Sequence, residues 1–153
     1  MEPARILLDT DVVINWLVQE IESVSEKQLW KAPYEIVKLA ESKAVLGIIS
    51  LTTLMEIRYL LRRKKSYATH QIEDDISRLI TIFDVVIPDE INLLKANTLQ
   101  AEHPLDPFDS IQLSICIGLK PITLISRDKD FISISKQFID AFAPEEFLKS
   151  IGV

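Results

Sequence analysis

A single cysteine, Cys116, serves all 153 residues, which excludes an internal disulfide and any cysteine-rich zinc site. Histidine is almost as scarce. His70 and His103 are too few for a zinc site built on imidazoles, so any metal bound here is expected to be hard and held by oxygen. The three glycines, Gly47, Gly118 and Gly152, lie far apart. A phosphate-cradling P-loop and a dinucleotide fingerprint both need several within a short span, so neither is present. A Gly-x-Ser-x-Gly elbow is missing too, which removes the serine hydrolases built on it. No apolar run approaches the roughly 20 residues that cross a bilayer. The start, Met1-Glu2-Pro3-Ala4-Arg5, leads into a short apolar run broken at Asp9 rather than a signal peptide, so the expected home is the cytoplasm, with no membrane partner. Positive charge is also in deficit: 17 Lys and Arg face 23 Asp and Glu, a net −6. That balance argues mildly against non-specific binding of nucleic acid by the whole surface.

Local distribution differs from the total. Arg58, Arg62, Arg63, Lys64 and Lys65 crowd within eight positions. They read either as the solvated end of a helix, where cations suit the dipole, or as a patch that contacts phosphates. The two readings are compatible.

Hydrophobic residues make up 48% of the chain and charged residues 26%, the balance of a globular protein with one core. Short apolar runs alternate with longer amphipathic stretches. Strands are expected at 5–9, 45–50, 83–87 and 122–126, with a fifth at 138–142. Helices are expected after Asp9 through Leu17, over 32–42, 51–64, 69–81 and 90–101, from Asp106-Pro107 onward, and in a last turn at 144–148. Strands separated by helices call for a three-layer α/β/α sandwich around a mostly parallel sheet of four to five strands. Ligands of such sheets bind beyond the carboxyl ends of the strands, where strand order switches.

Two carboxylates fall on that rim: Asp9 ends the first strand, and Asp128 follows the fourth. Glu56 sits in the first turns of the helix after the second strand, and right-handed crossovers start such helices on the same rim. Asp109 opens the helix before the fourth strand and reaches the rim only if that helix overhangs the sheet. Clustered carboxylates repel unless protonated or bridged by cations, and Mg²⁺ or Mn²⁺ is the natural bridge. Each residue also has a local explanation. Thr53-Leu54-Met55-Glu56 matches a capping box. Asp109 suits a helix start. Asp9 could cap a strand-to-helix turn, and Asp128 could belong to a polar turn before Phe131.

Four motifs in order carry a resemblance. They are Ile6-Leu7-Leu8-Asp9-Thr10-Asp11, Ser50-Leu51-Thr52-Thr53-Leu54-Met55-Glu56, Pro107-Phe108-Asp109-Ser110 and Leu124-Ile125-Ser126-Arg127-Asp128. Together the chain resembles the PIN-domain ribonucleases and, in size, the VapC-type toxins of toxin–antitoxin pairs. That likeness implies one nuclease domain over 1–153, an Mg²⁺- or Mn²⁺-dependent endoribonuclease acting on RNA, and an antitoxin protein as partner. It maps Asp9, Glu56, Asp109 and Asp128 onto the acidic site, with Thr10 and Ser126 as supporting hydrogen-bonders and Asp130 as an outer contact. Arg58 and the run from Arg62 to Lys65 would then hold RNA. The 111–114 segment and the longer 21–31 stretch depart from the family's usual pattern. A homodimer is expected if Trp30, Tyr34 and Ile36 are exposed; packing within the chain is the simpler account. Two rivals stay open. A haloacid-dehalogenase-like phosphatase would use Asp9 and Asp11, and a catalytically idle PIN-like module would only bind.

Overall fold

The computed structural model describes residues 2–153. Five parallel strands form one sheet in the order β3-β2-β1-β4-β5. They are β1 (Ala4–Leu8), β2 (Val45–Ser50), β3 (Asp84–Val86), β4 (Thr123–Ile125) and β5 (Asp140–Phe142). Successive side chains of a strand face opposite ways, and β1 obeys this: Ile6 and Leu8 enter one core, Leu7 the other. The first core is completed by α1 (Thr10–Leu17), α2 (Lys31–Glu41), α3 (Leu51–Arg63), α4 (Thr69–Ile82) and α8 (Pro144–Ser150). The second is completed by α5 (Glu90–Glu102), α6 (Pro107–Gly118) and α7 (Lys129–Ser135). The expected three layers are therefore present, and the sheet is parallel throughout.

The chain builds outward from β1 to β2 and β3, then crosses back to lay β4 along the other side of β1. Strand order switches between β1 and β4, where Leu8 pairs with Ile125. A crevice is expected beyond the carboxyl ends of these two strands.

The helices that start near this rim are capped by side chains at their first residues. Asp9 caps α1, Ser50 caps α3, Asp106 caps α6 with Pro107 in its first turn, and Asp128 caps α7. Helix α7 goes beyond the sequence reading, which expected only a polar turn at Asp128. Strands β3, β4 and β5 are each three residues, shorter than their apolar runs, because pairing ends before the side-chain pattern does. Ile36 is fully buried in the first core, and Trp30 packs edge-on against Tyr34. Packing within the chain thus accounts for Ile36, while Tyr34 stays 41% exposed. Other uncovered apolar side chains include Ile87, just before α5, and Ile91 and Leu94 in its first turns.

Candidate active site

Asp9 is the anchor of the crevice. Its backbone N–H donates to the Ile125 carbonyl at 2.9 Å, which extends the β1–β4 pairing by one step. Its Oδ1 accepts from the Thr10 N–H and the Gln112 amide, both at 2.8 Å, while Oδ2 accepts from the Ser126 hydroxyl at 2.7 Å. Burial pushes the Asp9 carboxyl above the usual carboxylate range. The three donors pull it back, and the nearby Asp128 charge pushes it up again. With two donors on Oδ1 and one on Oδ2, the second oxygen keeps a lone pair for an incoming group.

Ser126 joins the two strand ends. Its hydroxyl donates to Asp9 and accepts from the Asp128 N–H at 3.0 Å. Asp128 in turn caps α7, its Oδ1 accepting from the N–H groups of Asp130 at 3.0 Å and Phe131 at 3.1 Å. The local reading of Asp128 is therefore correct for one oxygen, and the side chain still lines the crevice.

Glu56 is free of the expected capping box. Ser50 is the cap of α3, and Thr53 is buried one turn further on. Glu56 Oε1 instead accepts from the Thr10 hydroxyl at 2.8 Å, so α1 orients the carboxylate of α3. Burial raises its pKa; the Thr10 hydrogen bond opposes this, and the charges of Asp9 and Asp106 add to it. Asp109 is likewise spared capping duty. Asp106 caps α6 by accepting from the Asp109 N–H at 2.8 Å, which leaves the Asp109 carboxyl to the crevice. Burial and the charges of Asp9, Asp106, Asp128 and Asp11 push its pKa up to about 8.

Asp9, Glu56, Asp109 and Asp128 thus line one cleft of about 360 Å³, together with Thr10. Asp11 and Asp106 line it as well. In the sequence, Asp11 has a role only in the phosphatase alternative. Its Oδ2 accepts from the Arg127 N–H at 3.2 Å, but its buried Oδ1 has no partner, and burial with the Asp9 charge pushes its pKa up to about 8. Gln112 was missed because a lone glutamine in an apolar helix carries no signal of its own; its partner lies 103 residues away. The cap signature Asp106-Pro107 was legible, although its part in the acidic cluster was not.

Other expected residues stand apart. Asp130 is exposed and meets the site only through its N–H on Asp128. Arg58 lies two residues beyond Glu56, about 200° round the helix, and pairs with Glu73 of α4. Arg62, one turn after Arg58, shares that far side, and Lys65 lies beyond the end of the helix. Arg63 lies over the Tyr59 ring, and Lys64 lines a groove that also reaches Glu56. The basic run is therefore divided, with Arg63 and Lys64 beside Tyr59 and the groove next to Glu56.

Among the described residues, no three His, Cys, Asp or Glu side chains gather into a ready-made metal cage. The carboxylates ring the cleft without closing on one point. Mg²⁺ and Mn²⁺ suit such a ring, because hard ions bind through one or two carboxylates and retain several waters. Raised pKa values at Asp9, Asp11, Glu56 and Asp109, and the orphaned Oδ1 of Asp11, mark a pocket short of positive charge. The donor set fits a divalent cation.

The model of the PIN domain family matches residues 5–130, and the chain belongs to that family. This membership replaces the phosphatase reading of Asp9 and Asp11. No curated protein matches the chain in sequence. Among solved structures, DNA-bound VapBC from Salmonella typhimurium aligns with a TM-score of 0.69 at 18% identity, over 92% of this chain and 98% of that one. VapBC2 from Rickettsia felis, bound to a promoter DNA fragment, aligns with a TM-score of 0.67 at 16% identity, over 89% and 97%. A toxin–antitoxin complex from Klebsiella pneumoniae aligns with a TM-score of 0.65 at 20% identity, over 91% and 97%. At these identities the likeness is one of fold.

Proposed function

We propose that this protein is a metal-dependent endoribonuclease that hydrolyses RNA phosphodiester bonds, and that it acts as the toxin of a VapC-like pair. The observation that carries the reading is the cleft at the β1–β4 switch. There, four carboxylates from distant segments converge, and the central one is held by three donors. Asp9 and Asp128 would hold one Mg²⁺ or Mn²⁺, with Glu56 and Asp109 completing its shell or helping to hold a second. Such an ion lowers the pKa of bound water and offsets charge on a scissile phosphate. The protein's own part is positional. Ser126 and Gln112 keep Asp9 aimed into the cleft, and Thr10 does the same for Glu56. Lys64, which lines the groove beside Glu56, would meet the RNA backbone.

The partner and setting follow from the same reading. The solved structures of like fold include VapBC and a toxin–antitoxin complex, which supports an antitoxin protein as the partner. No helix among the described residues is long and apolar enough to cross a membrane, and the proposed setting is the cytoplasm. Self-association through the uncovered Ile87, Ile91 and Leu94 belongs to the same proposal. Sedimentation of the wild type and of Ile91→Lys tests it, with a lower mass expected for the variant.

Replacing Asp9 by Asn should abolish Mn²⁺-dependent RNA cleavage and leave the circular dichroism spectrum unchanged. Retained cleavage by the Asn variant sinks the assignment. Calorimetry with Mg²⁺ or Mn²⁺ separates the nuclease from an idle module, since a module without a working site would show no heat of binding at neutral pH.

A further inference from the structure

Beside the acidic cleft runs a second, more apolar groove of about 500 Å³. Tyr59 and Met55 of α3 line it with Phe108 of α6 and Lys64. Glu56 and Leu60 line both spaces, so the groove adjoins the acidic cleft at Glu56. Its walls are strongly exposed: Met55 is 58% accessible, Tyr59 59% and Phe108 41%. Leaving large apolar side chains together in water is unfavourable unless something covers them.

The composition of this patch narrows what covers it. Tyr34, Tyr59 and Phe108 are the aromatics among the exposed large hydrophobic residues. Two of the three flank Glu56. Positive charge is gathered at the same place, with the Arg63 guanidinium 5.9 Å from the centre of the Tyr59 ring and Lys64 in the lining. Aromatic faces beside cations, next to a site for phosphate chemistry, match the demands of single-stranded RNA. Bases stack on rings whatever their sequence, and cations follow the backbone. An apolar protein segment would use the patch equally well with aliphatic side chains and would gain little from cations against an acidic cleft.

We infer that the groove is a nucleobase subsite. A base next to the scissile phosphate stacks on Tyr59 and Phe108, while Lys64 meets the adjoining phosphate. The inference rests on the ribonuclease reading of the cleft and adds to it the residues that seat the substrate's base. Because stacking tolerates any base, Tyr59 and Phe108 govern affinity for single-stranded over paired RNA rather than choice of sequence.

The test is equilibrium binding of a fluorescein-labelled single-stranded RNA of about ten nucleotides to the Asp9→Asn protein, in which cleavage is blocked. Adding Tyr59→Leu or Phe108→Leu should weaken binding by about fivefold to a hundredfold, the loss expected for one stacked base. Adding Tyr59→Phe should restore the parental Kd, because the ring is kept. The same oligonucleotide with abasic riboses should bind weakly and be indifferent to the leucine changes. In the background with Asp9 intact, Tyr59→Leu should raise KM and leave kcat in place. Equal RNA affinity of parent, Tyr59→Leu and Phe108→Leu overturns the subsite alone and leaves the groove to a protein partner. No binding of the oligonucleotide by the parent overturns the subsite together with the ribonuclease reading. The leucine variants change exposed positions, and a melting curve for each confirms that any loss is not one of folding.

Discussion

Gln112 gives one amide proton to Asp9 and leaves its own Oε1 buried without a donor. That is a costly arrangement for a side chain with no other task, since an unsatisfied buried carbonyl costs about 1–3 kcal/mol. Its value lies in holding Asp9. Groups that orient a metal ligand typically matter by about 10–100-fold in affinity or activity. Gln112→Ala should therefore weaken Mn²⁺ binding, read by calorimetry, by about 10–100-fold. Its melting temperature should hold or rise, because the orphaned carbonyl is removed as well. A loss of stability without loss of metal affinity would show that Gln112 serves the fold instead. At this scale the motifs made four carboxylates legible, because each sits at a strand end or a helix start with a recognisable neighbour. Gln112 was not legible as a member of the cluster because its partner lies 103 residues away. Asp11 and Asp106 were not, because local sequence gives no sign of which side chains face the cleft.

Element boundaries were set by caps and close approaches. Gly47 stands in the middle of β2, where a β-carbon would overlap the Phe83 ring and lie 3.2 Å from the Ala40 β-carbon. Phe83 is buried between α4 and the sheet and has little room to retreat. Gly47→Ala should therefore destabilise the protein by about 1–3 kcal/mol, the usual cost of overpacking, as measured by urea unfolding. An unchanged midpoint would mean that the α2–α4 layer shifts freely. Helix α7 is the element that periodicity did not announce. Seven residues are too few for a clear 3.6-residue pattern, and the helix depends on Asp128 capping its first turn. Helix α3 shows the opposite case. Its apolar spacing made it evident, and that same spacing turns Arg58 away from Glu56 and Lys64 toward the groove.

For the molecule as a whole, the acidic cleft sets how stability varies with pH. Asp11 and Asp109 start from an ordinary carboxyl value of 3.8 and are pushed up to about 8 in the folded protein. Across that window the folded state holds protons that the unfolded chain has already released. Stability then falls as pH rises, because ionising these groups in the folded cleft is unfavourable. Without divalent metal, the melting temperature should be higher near about pH 5 than near about pH 8. Mg²⁺ or Mn²⁺ should raise it more at the higher pH, where the cleft carboxyls are ionised. A melting temperature that rises between those two values in EDTA would contradict the shifts. Glu145 acts in the other direction. Burial raises it, but its own backbone N–H, Arg127 and Lys27 together hold it below the usual range. Its contribution is present above the ordinary glutamate value and is lost as pH falls through the lowered one.

Arg127 ties distant parts of the chain together as well. Its guanidinium donates to Asn15 of α1, to Glu145 of α8 at 3.0 Å and to the Leu29 carbonyl at 2.7 Å. Arg127→Ala should cost about 2–4 kcal/mol and should raise hydrogen exchange across 18–30, the segment it fastens. Exchange unchanged in that segment would place its anchorage elsewhere.

Alternating apolar runs, strand-end aspartates and Asp or Ser caps are local features, and local sterics and hydrogen bonding suffice to turn them into strands, helices and a parallel sheet. The sequence by itself therefore determined the layered fold, the rim on which Asp9, Glu56 and Asp128 lie and the family they belong to. Only the tertiary structure decided which carboxyls share a cleft, which basic residues turn toward it and which aromatic rings stand beside it. Those relations depend on how helices rotate and pack across the sheet, and packing is settled by contacts between residues that no short stretch of chain contains.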